Sequence, residues 1–150
     1  MTNNLEHNLI EQMRDPKFYL ENFCKIKTKD RKFVPFVLNE AQKDLLNTLV
    51  HDEAKRTIIL KARQIGFSTV VCAFFYHDTI MNPATTSVII GYNREMTTEL
   101  LEKIKLFYEM TPDKLKPTIK YNSRYEISFP SLKSKILVLP SNETRTWLYH

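Results

Sequence analysis

A chain of 150 residues with 43% hydrophobic content is enough for one domain with a real core, and 22 Lys plus Arg against 17 Asp plus Glu leave a charge of +5, compatible with a polyanionic partner without demanding one. The longest apolar run, Val70 to Tyr76, falls far short of the about 20 residues of a membrane span, and the N-terminus lacks a secretory pattern, so a soluble intracellular protein is expected. Cys24 and Cys72 stand far apart, and His7, His51, His77 and His150 show no ligand spacing, which argues against a disulfide framework and a structural zinc.

Leu5, Leu9 and Met13 recur at helical steps, and Asp15-Pro16 supplies a cap and first-turn proline for a second helix carrying Phe18, Leu20 and Phe23. Lys25 to Arg31 reads as a charged connector, either a solvated loop or a contact to DNA. Asn39 then caps a helix whose apolar face is Ala41, Leu45, Leu46, Leu49 and Val50. Gln42 falls three residues after that cap. It either completes a capping box, bonding back to the cap amide, or reads the edge of an adenine with its carboxamide.

Thr57-Ile58-Ile59-Leu60 is β-branched and apolar enough for a strand buried on both faces, and a helix begins near Ser68. Between them sits Gly66, one of only 2 glycines. Strand, tight loop and helix together make phosphate-loop geometry, in which loop amides and the helix N-terminus form an anion site and Ser68 is placed to hold a metal ion. The spelling Lys61-Ala62-Arg63-Gln64-Ile65-Gly66-Phe67-Ser68-Thr69 departs from the standard form: Lys61 stands at the first glycine's position and Phe67 at the lysine's. Lys61 and Arg63 are either cations for β- and γ-phosphate oxygens or solvated charges beside an ordinary turn.

The helix from Ser68 is expected to end near Met81-Asn82-Pro83, and Thr85 to Ile90 to form a second buried strand ending at Gly91. Two strands joined by a helix make a right-handed parallel βαβ unit, with ligands bound beyond the carboxyl ends of the strands, where Gly66 and Gly91 both lie. Tyr92-Asn93-Arg94 opens a helix that buries Leu100, Leu101, Ile104, Phe107 and Tyr108, with Lys103 and Lys105 on its wetter side; Arg94 itself is a loop charge or a DNA contact. Tyr125, Ile127 and Phe129 then alternate with polar residues and Lys135 to Leu139 forms another strand, predicting a β-hairpin near residues 118–139. Its Lys114, Lys116, Lys120, Arg124, Lys133 and Lys135, interleaved with Tyr121 and Tyr125, form either a solvated face or a surface for a phosphate backbone.

An aromatic, a leucine and Gln42, then the Lys-Ala-Arg-Gln-Ile-Gly-Phe-Ser-Thr loop, a strand ending at Gly91 and a helix leading to Thr111-Pro112 resemble the ATPase domain of large terminase subunits of tailed bacteriophages. Arg63-Gln64-x-Gly66 matches the family's variant Walker A, and Lys61 the subset with the lysine at the loop's beginning. Gln42 would correspond to the adenine-reading glutamine. Ser141-Asn142-Glu143 to Arg145 loosely resembles the loop before Walker B, with Thr146 where the family has glycine. The resemblance implies an α/β P-loop NTPase of the ASCE type, a parallel sheet flanked by helices. Residues 1–38 would be a helical lead-in and connector, and residues 39–150 the N-terminal portion of the ATPase domain, with the nuclease domain absent. It implies ATP and Mg2+ as cofactors, held by Gln42 and by Lys61, Ala62, Arg63, Gln64, Ile65, Gly66, Phe67, Ser68 and Thr69. Lys61 and Arg63 would be the catalytic cations, Ser68 the magnesium ligand, and Thr69 would lie near the α-phosphate.

As partners the resemblance implies double-stranded DNA, the portal protein and the small terminase subunit, in a ring of like subunits within the cytoplasm of a bacterial host, and no membrane. The only Asp-Glu pair, Asp52-Glu53, precedes the phosphate loop and cannot serve as Walker B without reversing the motif order. The chain is therefore expected to be the N-terminal piece of a longer product, incomplete at its C-terminus, marginally stable alone and able to bind nucleotide without turning it over. A superfamily 2 helicase-like ATPase and a non-catalytic basic α/β binding fragment are the rival expectations.

Overall fold

Most helices in this chain start where a polar side chain can accept the orphan amides of the first turn, and those starts set the order of elements. The computed structural model describes residues 2–51, 56–60 and 66–142. Helix α1 (Thr2–Met13) leads into α2 (Pro16–Phe23), where Asp15 accepts from the amides of Lys17 and Phe18. Strands β1 (Lys25–Lys27) and β2 (Phe33–Pro35) pair antiparallel, so the stretch read as a charged connector is in part a small two-stranded ribbon with Arg31 at its turn. Alternation places Ile26 between two exposed lysines, a pattern too short to separate from a loop by sequence. Helix α3 (Glu40–His51) buries Gln42, Leu45 and Leu46, while Ala41 and Val50, expected on its apolar face, are exposed.

Helix α4 (Phe67–Met81) ends as the Asn82-Pro83 signal requires, and is followed by β3 (Thr86–Gly91) and by α5 (Arg94–Met110), capped by Asn93. Strand β4 (Lys120–Ser123) turns back into β5 (Glu126–Phe129), and a short 3-10 turn leads to β6 (Ser134–Pro140); β5 and β6 pair antiparallel, the hairpin expected from Tyr125 to Phe129 and Lys135 to Leu139, and β4 adds a further strand to it. The four strands make a mixed sheet in the order β3-β6-β5-β4, with β3 parallel to β6 and the other pairs antiparallel.

That topology corrects two expectations. The sheet is not wholly parallel, because the β4–β5–β6 run enters it antiparallel. Thr57 to Leu60 forms no strand beside β3: Ile58 is 92% and Leu60 95% exposed. A β-branched composition favours a strand without placing it in a ladder, and β3 takes its parallel partner from β6, far along the chain. One face of β3 is buried through Ser87, Ile89 and Gly91, while Val88 and Ile90 on the other are exposed.

The core runs between that buried face and helices α2 to α5, with Leu20, Val70, Ala73, Tyr76, Ile104, Phe129, Ile136 and Val138 at its centre. Met13, Phe36 and Leu38 belong to the same core, so residues from the helical lead-in and connector pack with the rest. His77 is buried and its Nε2 donates to the Met13 carbonyl at 2.8 Å, tying α4 to the end of α1. Burial holds its pKa below the ordinary histidine value, against the raising effects of the Met13 bond, Asp78 and Asp15. The unfolded state therefore binds the extra proton first: the neutral-His contribution is complete above about pH 6.5 and is lost as pH falls through that value toward the lower folded one. Urea midpoints are expected to drop between pH 7.5 and pH 5, with a shallower drop in His77→Gln; an equal drop in both would exclude His77 as the cause.

Among the described residues, no helix is long and apolar enough to cross a membrane. Cys24 and Cys72 are buried thiols, each pushed up to about 12 by desolvation, as expected for cysteines without a partner.

Candidate functional site

Gly66 opens α4 in the left-handed region, at φ 75 and ψ 16, and caps the helix without any side-chain acceptor. A β-carbon there would stand 2.6 Å from Gln42 Nε2, so the position requires glycine on two grounds. The Gly66 carbonyl accepts from the amides of Thr69 and Val70 at 3.2 and 3.3 Å and from Gln42 Nε2 at 3.4 Å. In such a cap the amides of Phe67 and Ser68 have no acceptor within their own helix, and the positive end of the α4 dipole lies there. No acidic side chain stands in the first turn to cancel it.

Ser68 lines a recess of about 390 Å³ together with Phe67, Ile59, Ile90 and Gly91. The structure thus brings Ser68 and Gly91 together at the carboxyl end of β3, the edge at which a ligand was expected. The described side chains around this recess are all uncharged, so an anion there meets the helix dipole without a neighbouring carboxylate. Gly91 is held close by α5: a β-carbon would lie 2.5 Å from Thr97 Oγ1 and 3.0 Å from the Thr97 amide nitrogen. Thr69 lines a different recess, with Lys25, Lys27, Glu99 and Lys103, so the two hydroxyls adjacent in sequence serve different surfaces.

The capping-box geometry of Gln42 is present in full. Gln42 Oε1 accepts from the Asn39 amide at 3.0 Å, Asn39 Oδ1 accepts from the Gln42 amide at 2.9 Å, and the residue is 6% exposed. With Nε2 on Gly66, this side chain links the start of α3 to the start of α4. Sequence spacing carried the box; the contact to Gly66, across the loop, had no local signal.

Lys61, Ala62, Arg63, Gln64 and Ile65 lie outside the described residues, as do Asp52-Glu53 and the Glu143 to Arg145 segment. Among the described residues, no group of three His, Cys, Asp or Glu side chains gathers as a metal site. The fold and recess define a mixed α/β protein whose glycine-capped helix faces the carboxyl end of an edge strand. No protein-family model matches the chain.

Proposed function

We propose that the chain is the nucleotide-binding part of a P-loop ATPase of the large-terminase type, a motor that drives double-stranded DNA into a viral capsid. The observation that carries this reading is that Ser68 and Gly91 line one recess at the carboxyl end of β3, where α4 opens at Gly66 without a side-chain cap. In this reading the amides of the loop and of α4 hold the phosphates, Lys61 and Arg63 supply the cations, and Thr69 lies near the α-phosphate. ATP, when bound, brings the phosphoanhydride and its own oxygens for Mg2+, and Ser68 adds a hydroxyl ligand. Gln42 acts first as the brace of Gly66 and, by the resemblance, also on adenine.

The DNA polymer, the portal protein, the small subunit, a ring of like subunits and the bacterial cytoplasm belong to the same proposal. A superfamily 2 helicase-like motor shares the glutamine and the loop, and competes with it on equal structural terms. The engagement of the Gln42 carboxamide in a capping box favours the plainer reading, a basic α/β binding fragment whose loop is a turn.

Fluorescent ATP with magnesium separates these. Saturable binding is expected in a folded sample, weakened at least tenfold by Lys61→Ala and less by Ser68→Ala, with no steady-state hydrolysis because no Asp-Glu pair follows the loop. Absence of binding in a cooperatively folded sample would leave the plain-turn reading. Turnover abolished by Lys61→Ala would reveal a base elsewhere in the chain, and equal affinity for GTP would remove adenine reading from Gln42.

A further inference from the structure

Arg94, Thr98, Leu101 and Lys105 follow one another at steps of four, three and four residues, so they share one face of α5. That face meets the β4–β5 turn, where Arg124 and Tyr125 form the opposite wall of a groove of about 370 Å³. Arg94, Lys105 and Arg124 line it together with one carboxylate, Glu102, which pairs with Lys105 at 3.1 Å. The Arg124 guanidinium lies 4.6 Å from the centre of the Tyr125 ring, which holds it along the wall. At the far end Lys105 Nζ stands 5.7 Å from the ring of Tyr121, a side chain 54% exposed.

The cations are strung along a line. Arg94 to Lys105 spans about 16 Å of helix, over which one strand of B-form DNA presents about five phosphates. A compact anion would engage one end of such a groove; a chain of phosphodiesters engages its whole length. An exposed tyrosine next to a lysine offers a phosphate donor or a face for a base.

We propose that the groove between α5 and the β4–β5 turn binds the phosphodiester backbone of a nucleic acid. This deepens the motor reading by assigning a surface to its polymer. It uses no residue of the phosphate loop, so nucleotide-free binding to nucleic acid and nucleic-acid-free binding to ATP succeed or fail separately.

The test is fluorescence anisotropy of the full chain, without nucleotide, on labelled oligo-dT and on a mixed-sequence duplex of equal length, at several salt concentrations. Wild type is expected to bind with a slope of log K against log salt of about −2 to −3, the value for three neutralised phosphates. Lys105→Gln/Arg124→Gln is expected to weaken binding at least tenfold at 50 mM salt and to flatten the slope by more than half. Lys27→Gln/Lys29→Gln, an equal loss of charge on the β1–β2 ribbon, is expected to stay within twofold. Tighter binding of oligo-dT would place a single strand in the groove, and tighter binding of the duplex a double helix; either supports the proposal. As a measurement independent of variant folding, bound oligonucleotide should protect Lys105 of the wild type from acetylation and leave Lys29 reactive. Absence of saturable binding by wild type, equal losses in both double variants, or an unprotected Lys105 would overturn it.

Discussion

Gly66→Ala is expected to destabilise the protein by about 2–4 kcal/mol, and by only about 1–2 kcal/mol when Gln42 has already been changed to alanine. Two costs combine in the single variant. The left-handed conformation at φ 75 penalises any β-carbon by about 1–2 kcal/mol. The new β-carbon also stands 2.6 Å from Gln42 Nε2 and pushes the carboxamide out of its capping box, whose loss costs about 1 kcal/mol or more. A surface glutamine would move aside cheaply. Gln42 is 6% exposed and held at both ends of its amide, so it cannot yield without breaking the bond to Asn39. Gln42→Ala alone removes the box and its reach to Gly66, but relieves the clash in advance. Urea denaturation of the four proteins, with unchanged m-values, measures the coupling. Strict additivity would show that the two residues do not meet, and the brace on the candidate loop would be lost with it.

Tyr76→Ala is expected to cost about 3–5 kcal/mol, a fall in Tm on the order of 10 °C for a chain of this length. Tyr76 is 0% exposed in the middle of α4, with its ring 6.3 Å from that of Phe107 and 6.4 Å from that of Phe129. Its hydroxyl lies 2.6 Å from Thr111 Oγ1, which also meets the Tyr19 hydroxyl at 3.2 Å and donates to the Phe107 carbonyl at 2.9 Å. Thr111 has one proton to give; with that on Phe107, both tyrosines donate to it. Burial raises both phenol pKa values, that of Tyr19 to about 12, so both protons stay in place at neutral pH. Tyr76→Phe keeps the packing and leaves Thr111 a partner in Tyr19, so it should cost only about 0.5–1.5 kcal/mol. Calorimetry of the pair separates packing from hydrogen bonding, and a Tyr76→Ala protein within 1 kcal/mol of wild type would contradict this account of the junction among α2, α4 and α5.

Much of the local architecture was written in short-range chemistry. Asp15-Pro16, Asn39 with Gln42, and Asn93 each announce a helix start within a few residues, and Tyr125, Ile127 and Phe129 announce a one-sided strand by alternation. The Lys25–Lys27 ribbon escaped because three residues carry too little periodicity. Thr57 to Leu60 shows the opposite failure: a strong β composition without a strand, since composition does not state whether a segment is packed into a ladder. For the candidate site, the sequence marked Gly66, Ser68 and Gly91 separately, through the rarity of glycine and the strand-to-helix change. It could not separate Ser68 from Thr69, which neighbour each other in the chain and line different recesses.

Short-range chemistry in the sequence set where α2, α3 and α5 start, the greater part of the helices' apolar faces, and the glycine at the opening of α4, because capping, amphipathicity and backbone freedom act over a few residues. Only the tertiary structure decided that β3 runs beside β6, that Gln42 braces Gly66, and that Arg94, Lys105 and Arg124 share one groove. Each of those contacts closes a long loop of chain. Its free energy comes from surfaces that meet only when the whole core is packed, and no local pattern encodes that meeting.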